Sequence, residues 1–162
     1  QCARVLMDPM RASRLASALA ARLPREIRSA VEIVVSPAMG GVIAGHEMAR
    51  ALGVEAIFVE RPEGRFELRR GFALRPGQKV LLVEDVVTTG LSLKEAAEAV
   101  REAGGEVIAA AALVERARGT TPIDWTPFFA LVSLNVPAYA EGEVPPELAA
   151  IPAKKPGSRK AA

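Results

Sequence analysis

The stretch VLLVEDVVTTGLSLKEAAEAV, residues 80–100, ends an apolar run in two carboxylates, Glu84 and Asp85. Thr88, Thr89, Gly90 and Ser92 follow before a helical pattern begins. Adjacent carboxylates can accept hydrogen bonds from two neighbouring sugar hydroxyls. Hydroxyls and a glycine at a helix start suit a phosphate: the first N–H groups of the helix have no partner, its dipole is positive there, and glycine permits close backbone approach. Together they suggest a ribose 5-phosphate, with the diol on the acids and the phosphate in the turn. Taken alone, the T-T-G-x-S piece reads equally well as an ordinary capped helix start. Neither G-x-x-x-x-G-K-[ST] nor a G-x-G-x-x-G after a strand is present.

The elements around this stretch must hold it in place. Asp8-Pro9 reads as a helix start, and Leu15, Leu19 and Leu23 repeat at four-residue spacing until Pro24. VEIVVS (31–36) is a short buried strand, SPAMGG a loop, 41–52 a second helix closed by Gly53, and AIFVE (56–60) the next strand. KVLLVE (79–84) is apolar throughout, as expected of a strand covered on both faces. In the helix that follows, Ser92 and Glu95 have capping-box spacing, and Leu93, Ala96, Ala97 and Val100 form its apolar face. VIAAAALV (107–114) and FFALVSL (128–134) are further strands, and QCARVL at the start also reads as strand. Strands alternating with helices predict an α/β fold with a mostly parallel central sheet flanked by helices. Residues 61–78, RPEGRFELRRGFALRPGQ, break the rhythm. They form a long charged connection, of a length often functional in compact domains, with room for a short irregular hairpin.

The chain of 162 residues accommodates one domain, read here as residues 1–140, with a Pro-rich, basic tail over 141–162. A formal net charge of +2 and the absence of a basic-aromatic stripe give no case for nucleic acid. No apolar run approaches the roughly 18 residues of a membrane span. Sixteen of the 21 basic residues are Arg; this suits phosphate, but genomic base composition produces the same bias. With one cysteine, Cys2, and one histidine, His46, the sequence holds no intrachain disulfide, zinc cluster or Ser-His-Asp triad. No secretory signal is visible, so the compartment expected is the cytoplasm. The chain starts at Gln1 without Met, and further residues are expected before it.

VLLVEDVVTTGLS resembles the signature of the type I phosphoribosyltransferases: four apolar residues, two acids, two apolar residues, then a Thr/Gly phosphate loop. SPAMGGVIAGHEMARALG resembles the pyrophosphate loop and following helix of the orotate branch, FVERPEG the approach to its mobile catalytic loop, and ALVER the strand whose terminal Arg meets orotate. Order and spacing agree over about residues 1–118. The resemblance implies a type I phosphoribosyltransferase-like fold with a mobile catalytic loop. It implies the reaction of orotate with phosphoribosyl pyrophosphate (PRPP) to give orotidine 5′-monophosphate and pyrophosphate. Mg²⁺ would be held mainly by PRPP, with no protein metal site.

By the same resemblance, Glu84, Asp85, Val86, Val87, Thr88, Thr89, Gly90, Leu91 and Ser92 form the PRPP site. Gly40 and Gly41 let backbone N–H groups approach the pyrophosphate, which Arg61 and Arg65 also reach. Thr88 and Arg116 touch orotate, and Asp85 and Arg65 are the catalytic candidates. The family assembles as a homodimer, with the loop, here 61–74, closing over the partner subunit's site. The family loop reads Arg-Lys-Glu-x-Lys-x-His-Gly, whereas this chain has Pro62 for the first Lys, Arg65 for the second and Glu67 for the His. Arg69 and Arg70 are candidates to compensate. The altered loop keeps two other readings open: a purine-type phosphoribosyltransferase, and a non-catalytic PRPP-sensing regulator on the same fold.

Overall fold

The computed structural model describes residues 1–116, 123–137, 139 and 142–152. Its centre is a six-stranded sheet in the order β3-β2-β1-β4-β5-β6. The strands are β1 (Ile33–Pro37), β2 (Glu55–Glu60), β3 (Glu67–Leu68), β4 (Lys79–Val87), β5 (Glu106–Glu115) and β6 (Phe128–Ser133). All neighbouring pairs are parallel except β2 with β3. The helices are α1 (Cys2–Leu6), α2 (Pro9–Ala20), α3 (Arg25–Ala30), α4 (Gly41–Leu52), α5 (Leu91–Glu102) and α6 (Pro146–Ala149).

The local signals explain most boundaries. The Asp8 carboxylate accepts from the N–H groups of Met10 and Arg11 at 2.9 and 3.2 Å, which starts α2 at Pro9. Gly53 closes α4 with φ of 74°, a left-handed conformation that glycine adopts without strain. Along β4, Leu81 and Val83 join the core with Leu19 of α2 and Met48 of α4, while Val80 and Leu82 join Leu93, Ala96 and Val100 of α5 on the other face. Burial on both faces is why this strand shows no polar alternation. Each such Val or Leu contributes about 1.5–3 kcal/mol when fully buried.

Three expectations are corrected. QCARVL is the helix α1, not a strand. The strand read as ending at Glu84 runs on to Val87, so the acids lie inside β4. The capping box does not form: α5 starts at Leu91 with Gly90 as its N-cap, and no side chain bonds back to close it. Glu95 is instead paired with Arg61. The helices α3 and α6 were not foreseen. Residues 141 and 153–162 of the tail lie outside the described residues.

The charged 61–78 connection does contain a hairpin. Leu68 and Glu67 pair with Val59 and Glu60 across β2 and β3. Phe66 is only 5% exposed and packs in the α5-side core. Arg70 donates two 2.8 Å bonds to the Glu60 carboxylate, and the Phe72 ring meets Phe58 edge-on at 5.2 Å. Most of this connection is therefore tied down, leaving the exposed tip Pro62–Arg65 between Arg61 and Phe66.

No helix among the described residues is long and apolar enough to cross a membrane.

Candidate active site

The chain leaves β1 for β2 on one side and β4 for β5 on the other, so the order reverses between β1 and β4. A crevice opens beyond the carboxyl ends of strands at such a point. The loop after β1 and the turn after β4 form its walls. α4 lies on one face of the sheet and α5 on the other, as right-handed crossovers require.

The two walls touch through glycines. A Cβ on Gly40 would lie 2.9 Å from Asp85 Oδ1. A Cβ on Gly41 would lie 3.1 Å from both Glu84 Oε1 and the Val83 carbonyl. A side chain at either position would press on an acid or on the Val83 backbone, so the glycines let the 37–41 loop lie this close to both acids. Within this loop the Ala38–Met39 peptide is cis. A cleft of about 360 Å³ lies here, lined by Pro37, Met39, Gly40, Arg61, Glu84 and Ser92 among others. A second, of about 210 Å³, is lined by Glu84 and the Val86–Leu93 turn. Glu84 and Ser92 belong to both, so the two are adjoining compartments.

The acids are not equivalent. Glu84 is 8% exposed, and Asp85 is half-buried. Burial, then the neighbouring Asp85 charge and a hydrogen bond with it, push the Glu84 carboxyl up to about 8. Asp85 Oδ1 accepts from the Val86 N–H at 2.9 Å. The Cys2 thiol of α1 approaches the Asp85 carbonyl at 3.9 Å, and burial followed by the Asp85 charge raises its pKa.

The Glu84 shift has a consequence for stability. Between the ordinary glutamate range and pH 8 the folded chain holds a proton that the unfolded chain has released. Stability of the ligand-free protein therefore falls as pH rises through that window and levels off above it. Chemical denaturation from pH 5 to 9 measures this. A Glu84→Gln variant should lose the part of the slope that Glu84 supplies, and an unchanged slope would contradict the assignment.

The predicted residues fall into three groups. Glu84, Gly40, Arg61 and the turn from Val86 to Ser92 line the two clefts, while Asp85 lies against Gly40 and Gly41 against Glu84. The Thr89 Oγ1 accepts from the Leu91 N–H at 3.4 Å, so this hydroxyl already faces the helix start. Arg116 is exposed at the end of β5, and its N–H donates to the Val87 carbonyl at 2.7 Å, which sets it beside Thr88. Arg65 is elsewhere: it reaches Glu102 at 2.7 Å, at the opposite end of α5 from Leu91. Of the possible compensating cations, Arg70 is engaged by Glu60 and Arg69 lies 3.6 Å from Glu67. Phe66 and Glu95 were missed as site residues. Glu95 was read as a local cap, yet its spacing from Glu98 and Glu102 puts three acids along one side of α5, opposite a segment carrying Arg61 and Arg65.

This arrangement holds hydrogen-bond acceptors for a diol, unpaired helix N–H groups for a phosphate, and a guanidinium beside a glycine loop for a second anionic group. It is the architecture of a phosphoribosyltransferase, and the sequence profile of the phosphoribosyl transferase domain matches residues 8–136. Among curated relatives, the orotate phosphoribosyltransferase of Novosphingobium aromaticivorans is 71% identical over 159 residues, covering 98% of this chain and 81% of that protein. That of Sphingopyxis alaskensis is 67% identical, covering 100% and 83%. The chain belongs to the orotate phosphoribosyltransferase family. Solved structures share the fold. The adenine phosphoribosyltransferase of Thermoanaerobacter pseudethanolicus has a TM-score of 0.68 at 23% identity, covering 80% of this chain and 84% of that one. The orotate phosphoribosyltransferase of Aeropyrum pernix has 0.65 at 24%, covering 83% and 77%.

Proposed function

We propose that the chain transfers the 5-phosphoribosyl group of PRPP to orotate, giving orotidine 5′-monophosphate and pyrophosphate for pyrimidine nucleotide synthesis in the cytoplasm. The observation that carries this reading is the Gly40-Gly41 loop laid directly against Glu84 and Asp85. It supports a pyrophosphate site beside a ribose site, with the α5 N-terminus near both.

The 5-phosphate is held by the turn from Thr88 to Ser92 and the first N–H groups of α5. The ribose hydroxyls donate to Glu84 and Asp85. Orotate sits by Thr88 and Arg116. As C1′ separates from the pyrophosphate it gains positive charge, and Asp85 steadies it. Arg61 and the backbone at Gly40 and Gly41 take up the charge of the leaving group. Orotate is already anionic and needs no strong base. Positioning and charge carry the reaction, with no covalent nucleophile.

Among the described residues no three His, Cys, Asp or Glu side chains cluster as a metal cage. The acid pair offers the hard oxygen donors that Mg²⁺ accepts alongside substrate phosphates and water. Glu84 and Asp85 are thus the residues that would approach Mg²⁺ carried in by PRPP. When bound, it would supply Lewis-acid neutralisation of the pyrophosphate. The active assembly is a homodimer in which Arg65 serves the partner subunit's site.

PRPP consumption measured against orotate, adenine, guanine, xanthine and uracil tests the base assignment. Orotate alone should support turnover, and a purine preference would overturn it. Arg116→Ala should weaken orotate far more than PRPP, because the anionic base loses its charged partner. Equal weakening of both ligands, or of neither, would give Arg116 a structural role. Thr89→Val and Ser92→Ala should each weaken PRPP by about 1.5–3 kcal/mol, the worth of a hydrogen bond to a charged group. Calorimetric affinity unchanged in both variants would move the phosphate elsewhere.

A further inference from the structure

Arg61 lines the cleft, but it is not held from the cleft. Its NH2 group pairs with the Glu95 carboxylate, and its Cζ lies 4.2 Å above the centre of the Phe66 ring. Phe66 is itself buried against the apolar side of α5. One nitrogen and one face of the guanidinium are thereby fixed. Among the described residues, Nε and NH1 make no other side-chain bond, so the remaining donors stay available. A planar guanidinium loses little freedom per further bond once its plane is set.

A second pair on the same helix differs. Arg65 and Glu102 have side chains 76% and 54% exposed, against 35% and 29% for Arg61 and Glu95. Exposed pairs are worth little and are screened by salt. Arg65 can leave its partner at small cost, while Arg61 is held by a half-buried charge and an aromatic face.

Glu95 also lies three residues after Ser92, on the same side of α5. Ser92 lines both clefts. One rigid helix therefore presents its N-terminus to the phosphate end of the site and a carboxylate to the arginine at the other end.

We propose that Glu95 is a positioning residue: together with Phe66 it fixes Arg61 over the cleft with its free donors turned to the pyrophosphate of PRPP. The spacing between the two anionic ends of the ligand is then set by α5 rather than by the loop. The proposal rests on the reading of Arg61 as a pyrophosphate ligand. A glutamate that merely sequestered Arg61 would compete with the ligand, and its removal would improve PRPP use.

The test is a double-mutant cycle in the full-length dimer, using kcat/KM for PRPP and the Kd for pyrophosphate. Arg61→Ala should lower kcat/KM for PRPP substantially. Glu95→Gln should lower it about tenfold, weaken pyrophosphate similarly, and leave the KM for orotate unchanged. In the Arg61→Ala background Glu95→Gln should have no further effect, since groups acting through one another are not additive. Phe66→Leu keeps the apolar volume but removes the ring face, and should give a smaller loss in the same direction. It also serves if Glu95→Gln fails to fold by thermal denaturation. If Arg61→Ala is damaging but Glu95→Gln is neutral, beneficial or additive, the positioning role is overturned and the Arg61 reading stands. If Arg61→Ala is without effect, both fall.

Discussion

Asp85→Asn should abolish most turnover while leaving the chain at least as stable as the parent at pH 8. The amide keeps the shape, and its oxygen can still accept from the Val86 N–H that lies 2.9 Å from Oδ1. What it loses is the negative charge that the proposed mechanism sets beside C1′ of the ribose. Preorganised groups facing developing charge are worth about 10²–10³ in kcat, or about 2.7–4 kcal/mol. The stability expectation follows from the neighbour. The Asp85 charge is one of the causes that push the Glu84 carboxyl up to about 8. Removing it lets Glu84 ionise more easily, so the folded state above neutral pH carries less electrostatic cost. Two adjacent carboxylates inside β4, one of them buried and pushed up to about 8, are the kind of perturbed pair that marks a candidate functional site. Steady-state kinetics with urea denaturation at pH 6 and pH 8 reads both effects. Retained activity, or a variant less stable than the parent at pH 8, would remove Asp85 from this role.

Much of the candidate site's local structure could be read before the fold was known, for a physical reason. The acids, Thr88, Thr89, Gly90 and Ser92 are close in sequence, so the strand, turn and helix start that organise them are local. Asp8 as a cap and Gly53 as a helix end are local in the same way. What could not be read depended on distant neighbours. Nothing in residues 37–41 says that Gly40 and Gly41 abut Asp85 and Glu84; that needs β1 paired with β4. Glu95 had a plausible local partner in Ser92, and a cation 34 residues away took it instead. Phe66 sits in a charged, Gly/Pro-punctuated stretch whose sequence does not single it out, yet this one aromatic finds a place against α5 and ties the stretch down. Cys2–Leu6 is five residues long, too short for a helical period to show.

Arg65 leads to the prediction with the plainest outcome. Within one chain its guanidinium rests on Glu102, eleven residues along α5 from Leu91, where the proposed phosphate turn ends. At 1.5 Å per residue that is about 16 Å of helix. The tip that carries Arg65 is bounded by Arg61 and the buried Phe66, so a long swing into its own cleft would have to undo the Phe66 packing. Leaving Glu102 costs only an exposed ion pair, worth about 0–1 kcal/mol, which suits the proposed delivery to a partner subunit. A heterodimer distinguishes the two routes. One chain carries Arg65→Ala and the other Asp85→Asn, each inactive as a homodimer. If Arg65 acts in trans, one site of the heterodimer joins an intact Asp85 to an intact incoming Arg65, and activity returns to about half per dimer. That recovery is far above the tenfold that 1.4 kcal/mol of barrier represents. If Arg65 acts in cis, each site keeps one defect and mixing restores nothing. Persistent inactivity in a heterodimer shown to have formed would refute delivery in trans. Full activity in the Arg65→Ala homodimer would take Arg65 out of the mechanism, leaving Arg61 and the glycine loop to neutralise the leaving group alone.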